Sequence, residues 1–199
     1  MDVSTGTVVT PTSSEVQVHD GPGGTVVHTL DNPLPSGAPR TFLLDLDPGG
    51  AWLRVLLPVR PNGSTGWVRR DEVTRATVGY RLKMSTADNE LALFVGDELV
   101  DTFTAASGTG DSPTPLGRFY LVELLRPTNP GYGPYAYGLS GFSEVLSDFG
   151  GGPGQIGLHG TDDPSSIGRA VSHGCVRLSD EDITTLAEML PLGTPVVIT

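Results

Sequence analysis

Short apolar stretches separated by turn signals at intervals of roughly ten residues constrain this chain more than any other feature. Val16–His19 runs into Asp20-Gly-Pro-Gly-Gly24, and Thr25–Leu30 into Asp31-Asn-Pro-Leu-Pro-Ser-Gly37. Arg40–Leu46 meets Asp47-Pro-Gly-Gly50, and Trp52–Leu57 precedes Pro61-Asn-Gly63 and a last stretch, Thr65–Arg69. Five strands so short and so evenly spaced predict a small β-barrel or sandwich over residues 15–75. The 27 glycines and 17 prolines among 199 residues favour the same conclusion, because both residues interrupt helices. Residues 1–14, rich in Ser, Thr, Gly and Pro, read as a flexible leader.

Near Thr74–Thr77 the pattern changes, and residues 76–199 read as a second domain. It opens with strands at Val78–Met84, Glu90–Val95 and Leu99–Ala105, the last two joined as a hairpin by a Gly96-Asp97 turn. A polar loop, Ser107–Thr114, precedes a strong strand at Gly117–Leu125. Pro127–Gly154 is long, rich in Gly, Pro and Tyr, and without clear period, which suits a lid or substrate loop. One helix is predicted: Ser179 caps it, Asp180, Glu181 and Asp182 fill its first turn, and Ile183, Leu186, Ala187 and Leu190 mark one face. Pro191–Gly193 ends it, and Pro195–Ile198 is a final strand. The expected fold is therefore mainly β, in two modules, with one C-terminal helix.

Charge and composition exclude several classes. The net charge of −11 opposes binding to nucleic acid or anionic lipid through bulk charge. Most of it lies in the second region, with fifteen acids and six bases against eight and six in residues 1–75. The longest apolar runs are a few residues, against roughly 20 for a membrane span. The first residues lack the basic and apolar regions of an export signal, so the chain reads as a mature or truncated form if it works outside the cell. A single cysteine, Cys175, rules out an internal disulfide.

That cysteine sits in the most informative segment, Gly157–Ser179, with two of the four histidines. Three readings compete. Cys175 is a small buried hydrophobe. Or His159, His173 and Cys175 bind zinc with Asp162 or Asp163, although His-x-Cys lacks the usual two-to-four-residue spacer. Or Cys175 is a nucleophile served by a histidine, with His173 and Arg177 favouring its thiolate and the amides around His173, Gly174 and Cys175 facing an oxyanion. Both histidines precede the cysteine, which is not the order of papain-like peptidases. Sortases carry a longer His–Cys separation and a Thr before the Cys.

Two resemblances follow from quoted residues. Ser172-His-Gly-Cys-Val-Arg-Leu178, preceded by Leu158-His-Gly-Thr161 and by Thr114-Pro-Leu-Gly-Arg-Phe119, resembles the signature of the L,D-transpeptidase catalytic domain, the YkuD type, over roughly residues 78–199. Gly63-Ser-Thr-Gly-Trp-Val-Arg-Arg-Asp-Glu-Val73 resembles the closing strands of bacterial SH3-like modules, whose tryptophan, here Trp67, packs in the core or lines a groove. The first resemblance implies a β-sandwich in which Cys175 is the nucleophile, His159 the general base and acid, and the Gly160 carbonyl the group orienting the imidazole. It implies site roles for Ser172, His173, Gly174 and Arg177, with Arg177 holding a substrate carboxylate, supporting the thiolate, or pairing with Asp162, Asp163 or Asp180. Tyr132, Tyr135 and Tyr137 are candidates for a donor groove. The implied reaction is 3→3 cross-linking of peptidoglycan stem tetrapeptides outside the membrane, without metal or other cofactor, with carbapenem-type β-lactams acylating the same thiol. Water or a protein lysine as acceptor would make it an L,D-carboxypeptidase or an anchoring enzyme, and a catalytically idle cell-wall binding protein is the non-enzyme alternative. A monomer is expected.

Overall fold

The computed structural model describes residues 6–148 and 152–199, so residues 1–5 of the expected leader and 149–151 of the expected lid lie outside the described residues. The chain is mainly β. Its first sheet has seven strands: β1 Gly6–Pro11, β2 Glu15–His19, β3 Val26–Asp31, β4 Phe42–Leu46, β5 Trp52–Leu56, β6 Thr65–Arg69 and β7 Val73–Val78, in the spatial order β3-β2-β6-β5-β4-β1-β7. Its core comprises Val9, Val16, Val18, Phe42, Leu53, Val55, Leu57, Val68 and Val73. The alternation of β5 and β6 places Leu53, Val55, Gly66 and Val68 inward and leaves Trp52, Arg54, Trp67 and Arg69 on the outer face. Trp67 is thus half-buried under the Arg54 guanidinium, 6.0 Å from its ring, and outside the core.

Two strands exceed the expected five. The described part of the leader, Gly6–Pro11, pairs along its whole length with Val73–Val78 and also with Phe42–Leu43. Its Ser- and Gly-rich flanks hide a run of Thr and Val, β-branched residues that suit a pleated, half-buried strand. Because β7 pairs with β1, the change of sheet falls at Gly79, a few residues after the expected boundary.

The second sheet contains β8 Tyr80–Ser85, β9 Glu90–Val95, β10 Glu98–Thr104, β12 Gly117–Leu125, β13 Ala136–Phe142, β14 Gln155–His159, β16 Val176–Arg177 and β17 Pro195–Ile198. Their order is β10-β9-β8-β17-β12-β13-β14-β16, and the short strands β11 Ser107–Gly108 and β15 Ala170–Ser172 pair separately. Gly96-Asp97 turns the β9–β10 hairpin, and β10 carries a register shift between Leu99 and Asp101. The helix α1, Asp180–Met189, is capped by Ser179, whose hydroxyl accepts from the Asp182 amide at 3.1 Å. It buries Ile183 and Leu186 against the sheet.

The expected lid is only partly a loop. Ala136–Phe142 is an interior strand between β12 and β14, with six of its seven residues buried. A strand covered on both faces shows no alternation, so its sequence, Ala-Tyr-Gly-Leu-Ser-Gly-Phe, resembles loop composition. Gly141 lets the Phe119 ring lie against its backbone, where a Cβ would come within 2.5 Å of that ring.

A shared core joins the sheets: Val8, Leu34, Leu43 and Leu56 from one side meet Tyr120 and Val122 from the other. Tyr120 is fully buried and donates its hydroxyl to the Leu56 carbonyl at 3.3 Å. Arg118 reaches Asp45 at 3.3 Å across the same joint. Truncating Tyr120 opens a cavity there and strands the surrounding contacts. Tyr120→Ala is expected to lower unfolding free energy by about 3–5 kcal/mol, measured by urea titration.

Candidate active site

Parallel pairing of β14 with β16 sets Leu158 beside Val176 and His159 beside Arg177. This pairing carries Cys175, the residue before β16, to the edge of β14. The Gly157 amide donates to the Cys175 thiol at 3.3 Å. A Cβ on Gly157 would sit 3.3 Å from His159 Cδ2 and 3.7 Å from Cys175 Sγ, so imidazole and sulfur flank one glycine.

The turn bearing the cysteine is closed by its own residues. Ser172 Oγ donates to the Cys175 carbonyl at 2.6 Å and accepts from the Gly174 amide at 3.1 Å. Gly174 has φ +118°, a conformation that side chains rarely adopt, and an added Cβ would press within 3.1 Å of Ile156. The Ser107–Thr114 segment braces the turn from behind. Ser112 Oγ donates to the His173 carbonyl at 2.9 Å, the Thr109 amide donates to the Ser172 carbonyl at 3.0 Å, and Ala106 and Arg177 exchange backbone bonds.

His159 is buried, with 3% of its surface exposed, and its Nδ1 lies 2.6 Å from the Gly160 carbonyl. A carbonyl only accepts, so Nδ1 carries the hydrogen and the neutral ring keeps Nε2 as its acceptor. Burial pushes the imidazolium down to about 4, the Gly160 carbonyl works against this, and the Arg177 charge adds to it. Burial raises the Cys175 thiol, opposed by the Gly157 amide and by Arg177. At neutral pH the resting pair is therefore thiol and imidazole, both uncharged.

Two cavities meet at this pair. The larger, about 570 Å³, runs past Tyr132, Ala136, Gly138, Pro153, Gln155 and Gly157. The smaller, about 270 Å³, is walled by Gly131, Ser172, His173 and Arg177. Asn129, Tyr132, His159 and Cys175 border both. Tyr132 stands 4.6 Å from the His159 ring, and its phenol is raised first by burial and then by the nearby Cys175.

Some expected site residues are not brought together. Tyr137 borders the larger cavity but buries its ring in the core, its hydroxyl donating to the Leu190 carbonyl at 2.9 Å and to Leu186 at 3.2 Å. Tyr135 packs partly on the core and meets Arg126, whose guanidinium lies 5.0 Å from its ring. Asp163 and Asp180 accept backbone amides of Ser165 and Thr161, and among the described residues neither forms an ion pair with Arg177. Arg177 Nε is buried with no hydrogen-bond partner. The Gly174 amide, spent on Ser172, is not free to face an oxyanion. Among the described residues no group of three His, Cys, Asp or Glu side chains is placed to hold a metal ion. No helix among them is long and apolar enough to cross a membrane.

Sequence reading missed Gly157, Asn129 and Ser112. Gly157 had a signal, standing two residues before His159, the spacing that shares one face if the segment is a strand. Asn129 had another, since Asn-Pro-Gly is a turn in which its side chain accepts the Gly131 amide, here at 3.0 Å.

The fold and these residues define an L,D-transpeptidase catalytic domain. Residues 79–198 match the YkuD family of such domains, and the chain belongs to that family. The YkuD protein of Bacillus licheniformis is 41% identical over 124 residues, which span 62% of this chain and 67% of that protein. The YkuD protein of Bacillus subtilis is 37% identical over 123 residues, spanning 61% and 67%. In fold, an L,D-transpeptidase from Mycobacterium smegmatis aligns with a TM-score of 0.52 at 16% identity, over 80% of this chain and 90% of that one.

The depressed imidazole links stability to pH. Unfolded, His159 takes up a proton near 6.5; folded, only near 4. The unfolded chain binds more protons between these values, so the stability contributed by this group is full above pH 6.5 and is lost as pH falls through 4. The loss amounts to about 3 kcal/mol. Urea titrations at pH 7 and pH 4 are expected to show a smaller drop for His159→Gln than for wild type by roughly that amount.

Proposed function

We propose that the protein is a peptidoglycan L,D-transpeptidase that forms 3→3 cross-links through a thioester on Cys175. The reading is carried by one observation: a tautomer-fixed neutral imidazole and the chain's only thiol border the same two cavities. One cavity suits a donor stem and the other an acceptor.

In this mechanism Cys175 Sγ attacks the carbonyl of the L-centre of the donor's third residue, and its proton passes to His159 Nε2. The Cys175 amide, with Gly174 committed to Ser172, is the backbone donor toward the oxyanion. The C–N bond breaks, and the D-Ala amine leaves with the proton from Nε2. The side-chain amine of an acceptor's diamino acid then attacks the thioester, gives its proton to His159, and releases the thiol. Arg177, without an ion pair among the described residues, faces the smaller cavity and suits a substrate carboxylate. His173 shapes that cavity's wall. Such an enzyme acts outside the cytoplasmic membrane, on the cell wall.

Mass spectrometry after incubation with a carbapenem is expected to show one adduct on the wild type and none on Cys175→Ala; a folded wild type without adduct refutes the reading. Acylation should decline on the acid side near pH 4 rather than 6.5, because His159 is depressed to about 4. His159→Ala should suppress acylation far more than His173→Lys. With a stem tetrapeptide, cross-linked dimer identifies a transpeptidase, whereas tripeptide alone identifies an L,D-carboxypeptidase.

A further inference from the structure

The segment between β13 and β14, from Ser143 to Gly154, forms part of the rim of the larger cavity through Gly152 and Pro153. Its described ends are held by a residue of the other sheet. Arg60, in the turn between β5 and β6, sends its guanidinium into the segment. It donates to the carbonyls of Ser143 at 2.5 Å, Leu146 at 2.9 Å and Pro153 at 3.0 Å. The same guanidinium lies 5.1 Å from the Phe142 ring. Asn62, two residues on, accepts the Phe142 amide at 2.9 Å and donates to its carbonyl at 2.8 Å, completing both backbone bonds where β13 ends.

The segment is shaped to receive this guanidinium. Ser143 and Gly154 close its base by a backbone bond of 2.8 Å. The Ser143 hydroxyl accepts the Val145 and Leu146 amides. Gly154 has φ +71°, and an added Cβ would lie 2.3 Å from the Leu146 carbonyl and 3.0 Å from Arg60 Nη2. Three residues further along β14 stands Gly157, whose amide meets the Cys175 thiol.

Three carbonyls converging on one guanidinium exceed what a surface arginine needs. Five N–H donors in a rigid plane fix an approaching chain in position and direction, which a lysine ammonium does not. A loop that follows an interior strand and rims a cavity needs such a hold where, among its described residues, an apolar side chain such as Val145 is 58% exposed.

We propose that Arg60 and Asn62 are positioning residues for catalysis, by which the N-terminal module holds the rim of the larger cavity in place. The substrate part of this inference rests on the function proposed above. The module is then a working part of the enzyme, whatever else it binds. The hold acts on the bound peptide and leaves the sulfur's intrinsic reactivity alone, so its loss reads out in recognition.

The test compares Arg60→Ala, Arg60→Lys and Asn62→Ala with wild type, with Arg69→Ala on the outer face as control. On a stem tetrapeptide, Arg60→Ala is expected to raise KM five- to twentyfold with kcat within about threefold, Arg60→Lys to fall between, and Arg69→Ala to match wild type. A second readout needs no peptide turnover: the rate of Cys175 alkylation by a bulky maleimide relative to iodoacetamide. This ratio should change at least threefold in Arg60→Ala, with the iodoacetamide rate within twofold. Equal KM and an unchanged ratio in folded Arg60→Ala overturn the proposal, as does a loss in kcat alone. If Arg60→Ala does not fold, Arg60→Lys and Asn62→Ala decide by the same two readouts. A wild type inert toward the tetrapeptide refutes the transpeptidase reading, and the alkylation ratio then decides the hold by itself.

Discussion

The parallel pairing of β14 with β16 is the contact on which the site depends. It joins two segments of the 157–177 motif whose intervening residues form a short 3-10 turn and an edge strand. Both sides are held by main-chain bonds, so the positions of His159 and Cys175 do not rely on side-chain packing alone. β14 is itself paired on its other side with β13, where Ala136 stands opposite His159. Behind the cysteine, Ser112, Thr109 and Ala106 tie the turn to the segment between β10 and β12. Reacting groups carried on strands and braced by a second row of hydrogen bonds keep a narrower geometry than groups on free loops.

Burial then sets the chemistry. Desolvation is the largest influence on both His159 and Cys175, and it acts on each against charge. Arg177 opposes the imidazolium but favours the thiolate. Both groups therefore rest uncharged at neutral pH, without an ion pair between them. Tyr132, against the imidazole ring, shields the place where the cavities meet.

Local signals were legible in the sequence wherever the chain answers to its neighbours. The Gly96-Asp97 hairpin, the Ser179 cap and the apolar stripe Ile183, Leu186, Leu190 follow from contacts within a few residues, and each stands as read. The His159 and Cys175 segments were legible because glycines mark them. Contacts across the fold were not. Gly6–Pro11 becomes a strand because Phe42–Leu43 and Val73–Val78, far away in the chain, supply its partners. Ala136–Phe142 lacks alternation because both its faces are covered. Tyr137 borders the larger cavity, but its sequence neighbours gave no sign that the Leu190 carbonyl at the end of α1 takes its hydroxyl. The last carbonyls of a helix lack partners within it, and the phenol from the sheet supplies one for Leu190, the residue that ends this helix.

The register shift in β10 bears on what this sheet can do to other copies of itself. β10 is the outermost strand on one side and exposes Leu99 and Val100, at 55% and 46%. An open strand with such residues is a template for adding strands from neighbouring molecules. Here the bulge between Leu99 and Asp101 breaks the run of regularly spaced amides and carbonyls, and Glu98 and Asp101 place negative charge on either side of the apolar pair. At the opposite margin β16 is two residues long and has too few groups to seat a further strand. The second sheet therefore ends by its own construction at both margins.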